Sequence, residues 1–216
     1  MNPLQIFIES SKRLSPSLVE YEVGSEVEMF VYRYLQEVKP EFDRVVLVSF
    51  MDAHLTFIDY LERVLRDTEL LKDVDVVQIL SKNTRDPGGS APLIAGRLSK
   101  TLSDITKKTL AVVLGLDFYA IVFSEKFLLD LFPRVANLMK YNNNLKIVSV
   151  FNGAIFSPQV NQMMYTFSLN IIRLNVEKVD TRLRRCATII RSIFPEYNLK
   201  KWYYDIVENE IVWYGE

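Results

Sequence analysis

The chain has 216 residues, 49% of them hydrophobic and 25% charged, a balance that excludes intrinsic disorder. Twenty-six basic residues oppose 27 acidic ones for a net charge of −1, so no global basic field points to nucleic acid or to an anionic membrane. One cysteine, Cys186, and one histidine, His54, exclude a disulfide framework and any Cys/His zinc site, and neither a metal nor a cofactor is expected.

The segment Met1–Arg13 carries Glu9 inside its apolar part and has no small-residue cleavage site, unlike a secretory signal. Its Leu4, Ile6, Phe7 and Ile8 predict a short helix over 3–10 lying across a sheet. Ser17 to Val23 alternates as a strand does, and Gly24-Ser25 breaks it. From Glu26, the apolar residues Val27, Phe30, Val31, Tyr34, Leu35 and Val38 keep the three-four spacing of a half-buried helix, which Pro40 ends. Arg44–Phe50 is continuously apolar and β-branched, the pattern of a strand covered on both faces. Asp52 opens a second helix with Leu55, Ile58, Leu61 and Leu65 inward, and a strand follows at 75–80.

Residues 81–91 form one long loop around Asp86-Pro-Gly-Gly, readable as a lid, a partner-binding loop or a plain connection. Thr109–Leu114 is a further buried strand, followed by helical periodicity over about 118–140, a strand at 145–151 and a short helix at 158–167. The uncharged stretch Ile147–Ile172 is long enough to span a bilayer, but Asn152, Gly153, Pro158, Asn161 and Asn170 argue against it. The chain reads as cytoplasmic, with no membrane partner. From Leu169 the period becomes two, giving segments 169–176, 182–193, 201–207 and 210–214, the last pair joined at Glu208-Asn209. Strand–helix alternation followed by hairpins predicts one α/β domain over 1–216, its sheet mostly parallel with an antiparallel C-terminal hairpin extension.

Ligands of parallel α/β sheets bind beyond the carboxyl ends of the strands. Three places qualify: Gly24-Ser25, Asp52-Ala-His54 and Gly115-Leu-Asp117. The first lacks the Gly-Lys-Ser/Thr of a phosphate loop, and none of the seven glycines precedes a lysine. The nearest imitation, Gly96-Arg-Leu-Ser-Lys-Thr101, has the wrong spacing. Glu20, Glu22, Glu26 and Glu28 around Gly24 would repel a triphosphate. Asp52 and Asp117 are either metal-coordinating carboxylates or helix N-caps, the cap being the simpler account. His54 has no Gly-x-Ser-x-Gly or similar motif beside it and reads as a surface or half-buried histidine. Arg182, Arg184, Arg185, Arg191, Lys200 and Lys201, close to Trp202, Tyr203, Tyr204, Trp213 and Tyr214, could contact single-stranded nucleic acid. The competing account makes them the charged guard of a sheet edge.

Several ordered segments together carry a resemblance. They are Ser17-Leu-Val-Glu-Tyr-Glu-Val-Gly-Ser25, Arg44-Val-Val-Leu-Val-Ser-Phe-Met-Asp52, Ala111-Val-Val-Leu-Gly-Leu-Asp117 and Lys146-Ile-Val-Ser-Val-Phe-Asn152, then Arg185-Cys-Ala-Thr-Ile-Ile-Arg191 and the hairpin Trp202 to Trp213. Through them the chain resembles archaeal RecA-superfamily proteins of the KaiC-like type, in particular a degenerate branch without the Walker A phosphate loop. The resemblance implies a RecA-like three-layer sandwich. By position it puts Gly24 and Ser25 in the phosphate-loop place and Asp117 in the Walker-B place, with Asp52 a loose match to the water-activating carboxylate. Relatives with intact sites bind ATP and assemble into rings or filaments. Without the glycine-lysine-threonine, ATP hydrolysis is not expected here. Three functions follow: a non-catalytic protein acting through a protein partner or self-association, a nucleic-acid-binding accessory to recombination or repair, and, last, an enzyme using Asp52, His54 and Asp117 on a phosphorylated substrate.

Overall fold

A computed structural model describes residues 1–80, 91–102, 106–122 and 124–215. In chain order it contains α1 (Pro3–Arg13), β1 (Ser17–Tyr21), α2 (Val27–Val38), β2 (Arg44–Phe50), α3 (Ala53–Tyr60), β3 (Val74–Leu80), α4 (Ala91–Leu102), β4 (Thr109–Leu114), α5 (Leu116–Val122), α6 (Lys126–Tyr141), β5 (Leu145–Asn152), α7 (Pro158–Phe167), β6 (Asn170–Val179), β7 (Arg182–Arg191), β8 (Lys201–Val207) and β9 (Glu210–Tyr214). The strands form one sheet in the order β3-β2-β4-β5-β1-β6-β7-β8-β9. The first six in that order run parallel, and β7, β8 and β9 continue antiparallel.

Alternation along each strand splits the core in two, which makes the fold a three-layer α/β sandwich. Val45 and Leu47 of β2 face a layer built by α1, α2 and α3, while Val46, Val48 and Phe50 face α4 to α7. This double cover is why the parallel strands read as unbroken apolar runs. α1 starts at a capping box, in which Asn2 accepts from the Gln5 amide at 2.9 Å and Gln5 accepts from the Asn2 amide at 3.3 Å. It runs three residues beyond the expected end because Ser11 is satisfied inside, donating to the Ile8 carbonyl and meeting the Tyr34 hydroxyl, both at 3.0 Å. Phe7 of α1 packs edge-on against Phe30 and Tyr34 of α2, joining the two helices over the sheet.

Four expectations are corrected. Leu55 does not point inward; it is 56% exposed, and Phe57, at 4%, takes the buried position with Leu61 and Leu65. The cause is the entry to α3, where Met51 and Asp52 both adopt left-handed backbone (φ 52° and 62°) and rotate the helix. α4, where no element is expected, buries Ile94, Ala95, Leu98 and Leu102; Pro92 and Gly96 within it look like breakers, but proline is tolerated in a first helical turn. The helix expected over 118–140 is two, α5 and α6, the second begun where Ser124 Oγ accepts from the Lys126 amide at 3.2 Å. Finally, β7 is not the outermost strand: β6 and β8 flank it, although β8 pairs only with 185–188, so Arg185 is inside the sheet while Arg182, Arg184 and Arg191 lie beyond that pairing. The expected loop 81–91 falls on 81–90, outside the described residues, and on the first residue of α4. Among the described residues no helix is long and apolar enough to cross a membrane, and the uncharged stretch Ile147–Ile172 is divided between β5, α7 and β6.

The rotated α3 gives a direct test. Phe57→Ala should destabilise by about 3–5 kcal/mol in urea unfolding, whereas Leu55→Lys should stay within about 0.5 kcal/mol of the parent.

Candidate functional site

β1, β2, β4 and β5 end on one rim, at Tyr21, Phe50, Leu114 and Asn152. From that rim α2 and α3 pass to one face, while α5 and α7 pass to the other. Such a divergence opens a crevice between the connections, the usual ligand position of an open parallel sheet. A cleft of about 80 Å³ lies there, walled by Val27, Val31, Phe57, Leu114 and Phe118, with Tyr21, Glu28, Thr56 and Asp117 as its polar groups. Its floor depends on Gly115 (φ 80°): a Cβ there would lie 2.3 Å from the Phe50 carbonyl oxygen and 2.6 Å from the Ala53 Cβ.

The cleft is acidic. Tyr21 donates to Asp117 Oδ2 at 2.7 Å, and Asp117 Oδ1 accepts from the Phe118 amide at 3.0 Å. Burial, reinforced by Asp117 and by Glu28, holds the Tyr21 phenol well above its ordinary range, so it remains a donor. Burial, with a contribution from Glu26, also raises the Glu28 carboxyl. No lysine, arginine or histidine is among the lining residues. A phosphate oxygen placed about 5 Å from either carboxylate would meet about 3 kcal/mol of repulsion per charge pair at an effective dielectric of about 20.

The loop after β1 is held closely by its own bonds and by the C-terminal strands. Gly24 (φ 90°) and Glu26 (φ 55°) bend it sharply, and Ser25 is fully buried, donating to the Glu22 carbonyl at 2.7 Å. Two of its carbonyls accept from side chains of the C-terminal strands, and its Glu22 and Ser25 amides donate to the Leu174 and Glu22 carbonyls. Arg185 Nε of β7 donates to the Gly24 carbonyl at 3.0 Å, and the Tyr204 hydroxyl of β8 donates to the Ser25 carbonyl. Arg185 also lies 3.4 Å from Glu26. Of the four carboxylates expected to crowd this loop, Glu20 pairs with Arg173 at 2.6 Å, Glu22 accepts from the Val176 amide, and only Glu28 enters the cleft.

The candidate residues therefore separate. Asp117 lines the cleft, but Gly24, Ser25 and Asp52 do not. Neither aspartate is an ordinary N-cap. Asp52 holds the cap position of α3 without a side-chain bond to the helix and accepts instead from Gln78. The left-handed backbone turns its carboxylate away, and Ser49 of β2 caps the helix, accepting from the His54 amide at 3.0 Å. The same oxygen sits 2.8 Å from His54 Nδ1, so a serine does accompany the histidine; with Ser49 fully buried, the pair is a cap and not an exposed nucleophile. Asp117 lies inside the first turn of α5. The imitation loop Gly96–Thr101 is part of helix α4. Tyr21 and Thr56 were missed, and no motif flags them; only the meeting of three strand ends does.

The basic cluster separates as well. Arg185 serves the β1 loop, Arg191 donates to the Ser168 and Tyr165 carbonyls at the end of α7 (2.7 and 3.2 Å), and Lys201 pairs with Glu177 at 2.7 Å. That last pair lowers the Glu177 carboxyl and raises the Lys201 amine, each through their mutual hydrogen bond. Lys200 lies over the Tyr197 ring and Arg184 over the Tyr203 ring.

No family model matches the chain, and no curated protein does. Among solved structures it is similar to a KaiC-like protein from the hyperthermophilic archaeon Pyrococcus horikoshii OT3, with a TM-score of 0.64 and 14% identity over 92% of this chain and 88% of that one. That likeness is one of fold, and it shows the sandwich to be of the KaiC-like, RecA type.

Proposed function

We propose that this chain is a degenerate, single-domain RecA/KaiC-like protein that acts through protein contacts, self-association among them, without hydrolysing ATP. The observation that carries this reading is the inverted polarity of the nucleotide position. Where a phosphate loop would offer amides and a lysine, the β1 loop offers carbonyls already taken by Arg185 and Tyr204. The cleft beside it offers Glu28 and Asp117. Protein contact is supported by α5, a seven-residue helix that leaves Phe118, Ile121 and Val122 exposed on one side at 47%, 63% and 58%. Large apolar residues grouped three and four apart on a surface helix are what an interface anchors on.

Three measurements test the reading. Thermal unfolding in 1 mM MgATP should shift by less than about 1 °C; a ligand at about 1,000 times its Kd would stabilise by about 4 kcal/mol and could not be missed. Sedimentation velocity should show mass rising with protein concentration, and Ile121→Asp should return the chain to monomer with an unchanged melting temperature. A parent that stays monomeric at 100 µM and captures no partner would remove the support. Because burial raises the Glu28 carboxyl, the penalty on the fold grows as pH rises from the ordinary value of 4.5 toward the raised one, is constant above that, and vanishes below 4.5. Glu28→Gln should therefore melt above the parent at pH 8, with the difference shrinking toward pH 4.

A further inference from the structure

The β6–β9 half of the sheet has unlike faces. One face carries Ala187, Ile189 and Tyr204 into the core beneath α1 and α2, with Trp202, Ile206, Ile211 and Trp213 packed against it. Register fixes what lies on the other. Asn175 is opposite Cys186, Cys186 opposite Tyr203, and Tyr203 opposite Tyr214, which makes one row across four strands. Arg184 and Arg182 stand two and four residues from Cys186 and so share its face, as Asp205 shares that of Tyr203. A hollow of about 450 Å³ is lined by Arg182, Arg184, Tyr203, Asp205 and Tyr214 of this face, together with Leu183 and Tyr204 of the other parity.

We propose that this hollow binds single-stranded nucleic acid, taking a base against Tyr203 and Tyr214 and the adjoining phosphates on Arg182 and Arg184. The site is distinct from the cleft at the strand ends and does not depend on the function proposed for it. Four features support that occupant. Arg182 and Arg184 are exposed, and among the described residues neither forms an ion pair, unlike Arg185 and Lys201 on the same two strands. The Arg184 guanidinium lies over the Tyr203 ring, 5.9 Å from its centre, so cation and aromatic surface are already together and a base would use the ring surface that the guanidinium leaves open. Tyr214 is 46% exposed although aromatic, and it continues the Tyr203 row toward solvent. The volume falls within the range of sites that enclose a drug-sized ligand, which a nucleotide resembles. An acidic peptide would use the arginines and leave both rings idle. Base stacking uses both. Asp205 opposes a peptide carboxylate and a phosphate alike, so its charge favours neither, but it can accept from the exocyclic amine of a cytosine.

The test is fluorescence anisotropy of a labelled twelve-residue oligodeoxycytidylate with the full chain at 50 mM salt. Binding should weaken with salt at a log–log slope of about −1.4, as two arginine–phosphate contacts on a single strand require. The double variant Arg182→Ala/Arg184→Ala should lose most of the affinity and most of the slope. Tyr214→Ala should weaken binding about ten-fold, and Tyr214→Phe should keep it, because the ring and not the hydroxyl carries the stacking. Parent-like melting of each variant separates lost contact from lost fold. Absence of binding at 100 µM protein, unchanged affinity in the double arginine variant, or equal displacement by hexaglutamate would each overturn the proposal.

Discussion

β1 is the first strand of the chain and yet sits inside the sheet, hydrogen-bonded to β5 on one side and β6 on the other. The whole rim is organised by that placement. Because β1 cannot be framed until β5 and β6 exist, the loop that follows it is held by late parts of the chain: Leu174 of β6 accepts from the Glu22 amide at 2.9 Å, and Arg185 and Tyr204 reach the next carbonyls from β7 and β8. A hydrogen bond from a charged donor is worth about 1.5–3 kcal/mol, so Arg185 is a substantial clamp on a five-residue connection. The C-terminal meander thus places a cation and a hydroxyl donor against the carbonyls of the β1 loop. A cation faces carbonyls where amides would face an anion.

The same placement explains why the two halves of the sheet differ. In β2, β4 and β5 helices cover both faces, and residues of both parities are apolar. Beyond β1 only α1 and α2 remain to cover one side, and the other parity turns polar: Arg173, Asn175 and Glu177 along β6, Arg184 and Thr188 along β7. Cys186 is the exception, buried on the open side. Its thiol meets Asn175 Oδ1 at 3.2 Å and is pushed up to about 12, by burial first and the Glu177 charge second, so it is a spacer beneath the neighbouring side chains and not a reactive group.

These contrasts decide what could be read in advance. The buried strands, the switch from period two with both parities apolar to period two with one, and the hairpin at Glu208-Asn209 all follow from local pattern, and each of them is where the pattern puts it. The rotation of α3 is set by left-handed backbone at Met51 and Asp52, residue types that carry no glycine-like signal for it. α4 hides behind Pro92 and Gly96. For the site, Asp117 was legible as a carboxylate after a strand, but Tyr21 and Glu28 come to it across a sheet order that no sequence spacing encodes.

The basic run from Arg182 to Lys201 shows the same limit from the other direction. As a sequence it is one cluster of six, yet a pleated strand sends neighbours to opposite faces, so Arg184 and Arg185 part company at once. Arg185 is drawn under α2 to Glu26, while Arg184 stays in the open over Tyr203. Charge counted along a chain measures potential contacts. Charge sorted by strand parity and then by committed partners leaves the smaller set that is free to meet a ligand, and here that sorting turns a diffuse basic tract into two arginines beside two rings.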